Sequence, residues 1–121
     1  YEERKRKNIL VINDEEFMRV ALRFELKKTG SVQVIEAAGV SDALRMFKEH
    51  SVDVVLADIN LGEDRDGYDI LREVRAQSKT TKFYMMSGMS REDEWPKARE
   101  LGADGYIQLP YAPEELHQIL S

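Results

Sequence analysis

The sequence has no cysteine, three prolines and two histidines among 121 residues. The absence of cysteine excludes a disulfide framework, a thiolate metal site and a cysteine nucleophile, and it suits a reducing cytoplasm, where we expect the protein to act. Long apolar runs are absent too. The longest uncharged apolar stretches, such as residues 9–12 and 54–57, are far shorter than the roughly 20 residues that span a membrane. We therefore expect buried strands at these positions and no membrane association.

An excess of positive charge is also absent. The chain carries a net charge of -5 and has a pI of about 5.1, whereas a nucleic-acid-binding surface needs clustered lysine and arginine to neutralise phosphates. The one basic run, residues 4–7, adjoins two glutamates, and we interpret it as a solvated segment ahead of the first strand. We expect no nucleic-acid contact by this domain.

Apolar runs rich in β-branched residues alternate with segments of helical periodicity, which is typical of βαβ units on a parallel sheet. Five strands are predicted, at residues 8–13, 32–37, 52–58, 82–87 and 104–109. Right-handed crossovers then favour a flavodoxin-like, doubly wound (βα)5 α/β fold with strand order 2-1-3-4-5. The length predicts one domain over residues 1–121, and a first residue of Tyr rather than Met favours a fragment of a longer protein.

The first and fourth predicted helices have distinctive residues. In the first, these apolar residues recur at roughly helical spacing and predict an amphipathic helix: Phe17, Val20, Ala21, Phe24 and Leu26. In the fourth, Ser90 is a candidate cap and Pro96 interrupts the helical segment. Because proline lacks an N–H and clashes with the preceding turn, we expect a late start or a distorted first turn in this helix.

In this topology the carboxyl ends of neighbouring strands meet at one edge of the sheet. The residues that follow four strand ends are Asn13 and Asp14, Asp58, Ser87 and Leu109. Two carboxylates brought close together either share a proton or recruit a divalent cation, and Mg²⁺ suits one or two carboxylates completed by carbonyl oxygen and water. The alternative is that Asp14 caps the first helix and Asp58 only ends a strand, and spacing alone does not separate the two.

Four strings resemble the receiver domains of two-component response regulators. ILVINDEEFMR resembles the first strand and acidic turn, VDVVLADINL followed by DG resembles the phosphoacceptor strand and loop, and MMSG and GADGYIQLP resemble the last two strand ends. The strings cover nearly the whole chain in the correct order, with about one extra residue in the loop after Asp58. The resemblance implies a receiver domain in a phosphorelay, carried by a longer response regulator or signalling protein.

The resemblance also implies roles for individual residues. Asp58 is the expected phosphoacceptor, which takes a phosphoryl group from a histidine kinase, a phosphotransfer protein or a small phosphodonor to form an acyl phosphate. Asp14, Asp58 and the backbone carbonyl of Asn60 are the expected Mg²⁺ ligands. Ser87 is the expected switch hydroxyl, and Tyr106 is the aromatic residue whose ring follows the movement of the loop.

Two positions depart from the family pattern. Asn13 stands where a second acidic residue is usual; its amide can still accept a hydrogen bond from a metal-bound water, but it brings no charge, so we expect weakened Mg²⁺ affinity. Leu109 stands where a lysine is nearly universal. Such a lysine interacts with the acceptor carboxylate by about 4 kcal/mol at a separation of about 4 Å in an intermediate dielectric. Lys82 and Arg91 are the candidate replacements that the sequence offers.

Three functions remain open on these residues. A working receiver would transfer a phosphoryl group to Asp58 and signal through the face formed by the fourth helix, fifth strand and fifth helix, toward an output domain or a partner protein. A degenerate pseudo-receiver would keep the fold as a phosphorylation-independent protein-interaction module. A haloacid-dehalogenase-like phosphatase is the remote alternative, since the required second aspartate is replaced by Asn60. Beyond self-catalysed phosphorylation we expect no enzyme activity, and the sequence leaves homodimerisation open.

Overall fold

Five strands and five helices alternate along residues 6–120, which are the residues that the computed structural model describes. In chain order they are β1 (Lys7–Ile12), α1 (Glu16–Lys27), β2 (Val32–Ala37), α2 (Val40–Glu49), β3 (Val54–Asp58), α3 (Gly67–Gln77), β4 (Lys82–Ser87), α4 (Arg91–Glu100), β5 (Gly105–Gln108) and α5 (Pro113–Ile119). All strands are parallel, in the order β2-β1-β3-β4-β5, which confirms the predicted fold class. Arg4 and Lys5 of the predicted basic segment lie outside the described residues.

The central strands are buried on both faces, because helices cover the sheet from two sides. Alternate residues of β1 and β3, such as Leu10 and Val55, pack with α2, α3 and α4 in one apolar cluster. The intervening residues, such as Ile9 and Leu56, pack with α1 and α5 in the other. This period of two explains why both strands read as continuous apolar runs in the sequence. No helix within residues 6–120 is long and apolar enough to cross a membrane.

The predicted apolar stripe of α1 was wrong in two of its five residues. Phe17 and Phe24 are 86% and 67% exposed, whereas Leu22 and Leu26 are buried against the sheet. Leu22, Leu26 and the half-buried Met18 follow a spacing of four residues, so they define the inward face of the helix. Phe17 and Phe24 are seven residues apart and lie on a different face, which the sequence pattern did not distinguish.

The expectation for α4 was also wrong, since the helix starts directly after Ser90 with a regular first turn. The backbone N–H groups of Asp93 and Glu94 donate to the Ser90 carbonyl at 3.2 and 3.0 Å, although the Ser90 side chain makes no cap bond. Pro96 lies in the second turn of α4. Its missing N–H removes one backbone hydrogen bond of the helix, and this bond lies beyond the first turn, which therefore stays regular. Burial of Ala98 and packing of Trp95 on the apolar cluster hold the helix in place.

Candidate functional site

The carboxyl ends of β1, β3 and β4 enclose a cleft of ≈ 460 Å³. Its lining residues are Asp14, Glu15, Asp58, Asn60, Gly62, Ser87, Gly88 and Met89, and we call it the carboxyl-edge cleft. The strand order brings these residues together, because β1 and β4 both pair with β3. Four residues singled out in the sequence, Asp14, Asp58, Asn60 and Ser87, therefore share one cavity. Glu15 and Met89 were missed, and the only signal for Glu15 was its place beside Asp14.

Asp58 ends β3, where its carboxylate is half-buried. Burial above all, together with the nearby carboxylates of Asp14 and Glu15, raises the pKa of this carboxyl group from its ordinary 3.8 to about 6. The backbone N–H groups of Asn60 and Ile59 oppose the shift by stabilising the ionised form. The end of β3 thus holds a carboxylate that is costly to ionise and has no cationic partner among the residues that line the carboxyl-edge cleft.

Asn13 follows β1 and is buried, with 4% of its surface exposed. Its side-chain Nδ2 donates to Asp58 Oδ2 over 3.3 Å, and its Oδ1 accepts the backbone N–H of Glu15 over 2.9 Å. The backbone N–H of Asn13 donates to the Ala37 carbonyl, and Arg19 Nη1 donates to the Asn13 carbonyl over 2.7 Å. Both the main chain and the side chain of Asn13 are therefore fixed by hydrogen bonds.

Asp14 is exposed at the mouth of the carboxyl-edge cleft and does not cap the first helix. The N-cap of α1 is Glu15, and no side chain caps this terminus, so the capping alternative for Asp14 is wrong. A Cβ atom built on Gly62 would lie 3.2 Å from Asp14 Oδ2, and Gly62 has a φ of 71°. Glycine is needed there for the left-handed backbone and leaves room for the carboxylate.

The loop between β3 and α3 is fixed by the Asp-Gly pair that the sequence marked. The Asp66 carboxylate accepts the N–H groups of Tyr68 and Asp69, and Asp69 Oδ2 accepts the Asp66 N–H over 2.8 Å, which completes a capping box. Gly67 donates its N–H to the Ile59 carbonyl, and any Cβ on Gly67 would collide with the Asp58 carbonyl. The start of α3 is thereby held against the end of β3.

Ser87 and Tyr106 connect the carboxyl-edge cleft to the fourth helix and fifth strand. Ser87 ends β4, is buried, and its Oγ accepts the Met89 N–H over 3.1 Å. The Tyr106 ring is 3% exposed, and its hydroxyl donates to the Met89 carbonyl over 2.8 Å. The pKa of Tyr106 is raised above its ordinary value, because the effect of burial exceeds the opposite effect of the hydrogen bond with Ser87. The loop after β4 is thus held from both sides, by the candidate switch hydroxyl and by the candidate switch aromatic residue.

Leu109 lies just after β5, with its backbone N–H donating to the Ser87 carbonyl over 2.7 Å. Its side chain is half-buried and packs in the apolar cluster between the sheet, α1 and α5. Neither proposed replacement for the missing lysine lines the carboxyl-edge cleft. Lys82 begins β4 at the opposite edge of the sheet, paired with Val54, and Arg91 lines a separate groove beside Tyr106. Their candidacy was wrong because the sequence does not show which edge a side chain reaches.

The donor set of the carboxyl-edge cleft fits a small, hard cation. Two carboxylates, those of Asp14 and Asp58, share the cavity with Asn60, and Mg²⁺ needs only one or two carboxylates because it keeps several of its waters. Across residues 6–120 no three His, Cys, Asp or Glu side chains form a complete metal cage. A bound ion would therefore rely on water and on a backbone carbonyl for its remaining ligands.

The comparisons with known proteins decide the family. The pattern of the response regulator receiver domain matches residues 9–121. This chain belongs to the response regulator receiver domain family. The chemotaxis protein CheY of Halobacterium salinarum is similar to it, with 31% identity over 115 residues that make up 95% of this chain and 94% of CheY. The matched range contains every residue of the carboxyl-edge cleft.

Other relatives agree in sequence and in fold. The alkaline phosphatase synthesis transcriptional regulatory protein PhoP of Bacillus subtilis is 30% identical over 92% of this chain, but the match spans only 45% of PhoP. A receiver domain protein from Clostridium thermocellum superposes with a TM-score of 0.85 at 30% identity, over 93% of this chain and 89% of that one. The chain is thus a receiver domain of two-component signalling, a family that generally binds Mg²⁺ at its phosphorylation site and interacts with histidine kinases and output domains.

Proposed function

We propose that this receiver domain accepts a phosphoryl group on Asp58, and that the absence of a cationic side chain makes the reaction slow. The observation that carries the proposal is the position of the Asp58 carboxylate, in a cleft whose eight lining residues include three acids and no base. Mg²⁺ held by Asp14, Asp58 and the Asn60 carbonyl would supply positive charge for the phosphoryl oxygens. The donor is a phosphohistidine of a kinase or phosphotransfer protein, or a small acyl phosphate.

The transfer itself needs little from the protein beyond position. An oxygen of the Asp58 carboxylate attacks the donor phosphorus, a P–O bond to Asp58 forms, and the P–N or P–O bond of the donor breaks. The leaving imidazole or carboxylate takes the electron pair of the broken bond. The nucleophile is the ionised carboxylate, so the raised pKa of Asp58 leaves it mostly reactive at neutral pH but increasingly protonated below about 6.

Ser87 and Tyr106 provide a route from the acceptor to the signalling face. The Ser87 hydroxyl is one of the polar groups that line the cavity with Asp58, so it can donate to a phosphoryl oxygen there. Such a bond would draw the loop of Met89 inward, and this loop already holds the Tyr106 hydroxyl. We propose that the resulting position of α4 is recognised by an output domain or a partner protein along α4, β5 and α5.

The degenerate pseudo-receiver is the second candidate, and Leu109 is the observation that favours it. The Leu109 side chain packs against an apolar cluster, so the position of the usual lysine contributes to the core and not to a charged site. A domain of this kind would bind its partner without phosphate. The phosphatase alternative has less support, because Asn60 uses its Oδ1 to accept the Gly62 N–H and brings no carboxyl group for acid and base catalysis. In both leading candidates we propose a cytoplasmic domain, residues 1–121, within a longer signalling protein.

Intact mass after incubation with acetyl phosphate and Mg²⁺ tests the proposal. We expect wild type to gain about 80 Da, the mass of one phosphoryl group, slowly. The Leu109→Lys variant should gain it at least about tenfold faster, since it restores the lysine that the family pattern places near the acceptor carboxylate. Leu109→Met is the control for a change of side-chain shape without charge, and Asp58→Ala is the control for the acceptor.

Each outcome separates the candidates. Gain of mass by wild type that is lost in Asp58→Ala supports the working receiver. Modification of the Leu109→Lys variant alone favours the pseudo-receiver. If Asp58→Ala is modified as fast as wild type, Asp58 is not the acceptor and the proposal fails.

A further inference from the structure

We propose that Asn13 is a positioning residue for Asp58, and that its amide donates the hydrogen bond that this site cannot obtain from a lysine. The inference rests on the proposed role of Asp58 as the acceptor. It replaces the expectation that Asn13 serves the metal through a water molecule. It also links the two unusual residues of the site, because the Asn13 amide supplies a donor to Asp58 where the Leu109 side chain supplies none.

The orientation of the Asn13 amide follows from its two partners. The backbone N–H of Glu15 can only donate, so the atom of Asn13 that lies 2.9 Å from it must be the acceptor Oδ1. The other end of the amide is then Nδ2, which lies 3.3 Å from Asp58 Oδ2. An ionised carboxylate can only accept, so this contact joins a donor to an acceptor. Two independent neighbours therefore require the same amide orientation.

The donor is also held in place by the fold. β1 and β3 are adjacent parallel strands, and the pairing of Ile12 with Ala57 makes Asn13 and Asp58 neighbours at the edge of the sheet. Asn13 is 4% exposed, and Arg19 Nη1 fixes its carbonyl over 2.7 Å. The side chain therefore loses little freedom on making the bond, and it is poorly placed to reach for a ligand elsewhere.

Charge explains why an acid is unsuitable at position 13 in this chain. Asp14, Glu15 and Asp58 already place three carboxylates around the carboxyl-edge cleft, and none of its lining residues is basic. An aspartate at position 13 would set a fourth carboxylate within hydrogen-bond distance of Asp58, where like charges disfavour ionisation. Relative to the family pattern, Asn13 removes one negative charge and Leu109 removes one positive charge. The net charge of the site is thereby unchanged.

The first test is the rate of phosphorylation by acetyl phosphate over a range of Mg²⁺ concentrations. We expect Asn13→Asp to lower the maximal rate about tenfold in the wild-type background, the effect of replacing one hydrogen bond to a charged group. In the L109K background the same substitution should leave the rate unchanged or raise it. Gly88→Asp is the matched control, because it adds a carboxylate to the lining of the same cavity, its Cβ meets no atom within 4 Å, and it keeps the Asn13 donor.

The pattern of rates decides between positioning and metal binding. A second variant, Asn13→Ala, removes the donor without adding charge. A lower maximal rate in this variant, with an unchanged Mg²⁺ concentration at half-saturation, supports positioning. A change confined to the half-saturating concentration makes Asn13 a metal ligand and overturns the inference. Equal losses in Asn13→Asp and Gly88→Asp overturn it as well, since added charge alone would then explain the effect.

A second test works even if no variant is phosphorylated, in which case the proposed function fails on its own. The melting temperature is measured in EDTA at a pH of about 8, so that neither metal nor protonation of Asp58 contributes. We expect Asn13→Asp to lower the melting temperature by about 5 °C in the wild-type background and by less than half as much in the L109K background. Equal shifts in the two backgrounds would show that positions 13 and 109 are uncoupled and would overturn the inference.

Discussion

At the amino edge of the sheet the side chain of Arg75 is surrounded by acceptors, whereas at the carboxyl edge the Asp58 carboxylate shares its cavity with two further carboxylates. Arg75 donates to the carbonyls of Gly102 and Thr81 over 2.8 and 2.7 Å, and it pairs with Asp104 over 2.9 Å. The Asp104 carboxylate also accepts the Phe83 N–H. Each donor of this network thus has an acceptor, and the Asp104 carboxylate has a counter-charge.

The carboxyl edge is arranged differently. Asp58 receives one side-chain hydrogen bond, from Asn13 over 3.3 Å, and its pKa is raised to about 6 because burial and neighbouring carboxylates oppose its charge. Polar groups at the amino edge are paired with one another and stabilise the chain. At the carboxyl edge, no side chain that lines the cleft compensates the negative charge, and this charge is available to the cation that we propose binds there.

The largest expected effect comes from breaking the amino edge. Arg75→Met leaves Asp104 without its counter-charge and removes the donors to several backbone carbonyls, so we expect the free energy of unfolding to fall by about 3 kcal/mol. Arg72→Met is the matched control on the same helix, because Arg72 makes only an exposed ion pair with Asp69. Urea titration measures both variants. A similar, small loss in each would show that the network contributes little.

A smaller effect of opposite sign is expected at the carboxyl edge. The pKa of Asp58 in the folded protein is about 6, above its ordinary 3.8. The contribution of this group to the free energy of unfolding is therefore fully present below a pH of about 3.8, and it is lost as the pH rises through about 6. Asp58→Asn should therefore raise the free energy of unfolding at neutral pH by about 1.5 kcal/mol, after allowance for partial exposure of the carboxylate.

The pH dependence checks the cause of this gain. The difference between wild type and Asp58→Asn, followed by urea titration, should shrink as the pH falls from about 7.5 to about 5, because wild-type Asp58 becomes protonated. Asp64→Asn, in the exposed loop before α3, is the control for the loss of one surface charge. A gain that does not change with pH would have another origin than the ionisation of Asp58.

The smallest expected effect is stabilisation by Mg²⁺. At about five times its dissociation constant, an ion that binds only the folded protein raises the free energy of unfolding by about 1 kcal/mol. We expect this gain in wild type and its loss in Asp14→Asn, since Asp14 supplies one of the two carboxylates. Thermal unfolding with and without Mg²⁺ measures it. Equal gains in both proteins would exclude Asp14 as a ligand.

The fold followed from the sequence because turn residues separate its apolar runs clearly. The bounds of β2 and β4 were predicted correctly, and those of β1 and β5 were shifted or extended by about one residue, as strand ends usually are. β3 begins at Val54, two residues later than predicted. Apolarity did not reveal which face of α1 is inward, since Phe17 and Phe24 are apolar and yet exposed.

The site was predictable only where topology determined it. Asp14, Asp58 and Ser87 share a cavity because the strand order requires their strand ends to meet. The hydrogen bond of Asn13 depends on the orientation of an amide, and the network of Arg75 depends on how far a long side chain reaches. Neither property is encoded in the spacing of residues, so both emerged only from the structure.

None of the side chains that line the carboxyl-edge cleft is a cationic partner for Asp58, and the pKa of Asp58 tests this most directly. We would follow the chemical shift of the Asp58 carboxyl carbon by NMR in metal-free buffer as a function of pH. We expect a midpoint of about 6 in wild type, and a midpoint well below that in the Leu109→Lys variant. A wild-type midpoint at or below the ordinary value of 3.8 would show instead that a cation already compensates the charge of Asp58.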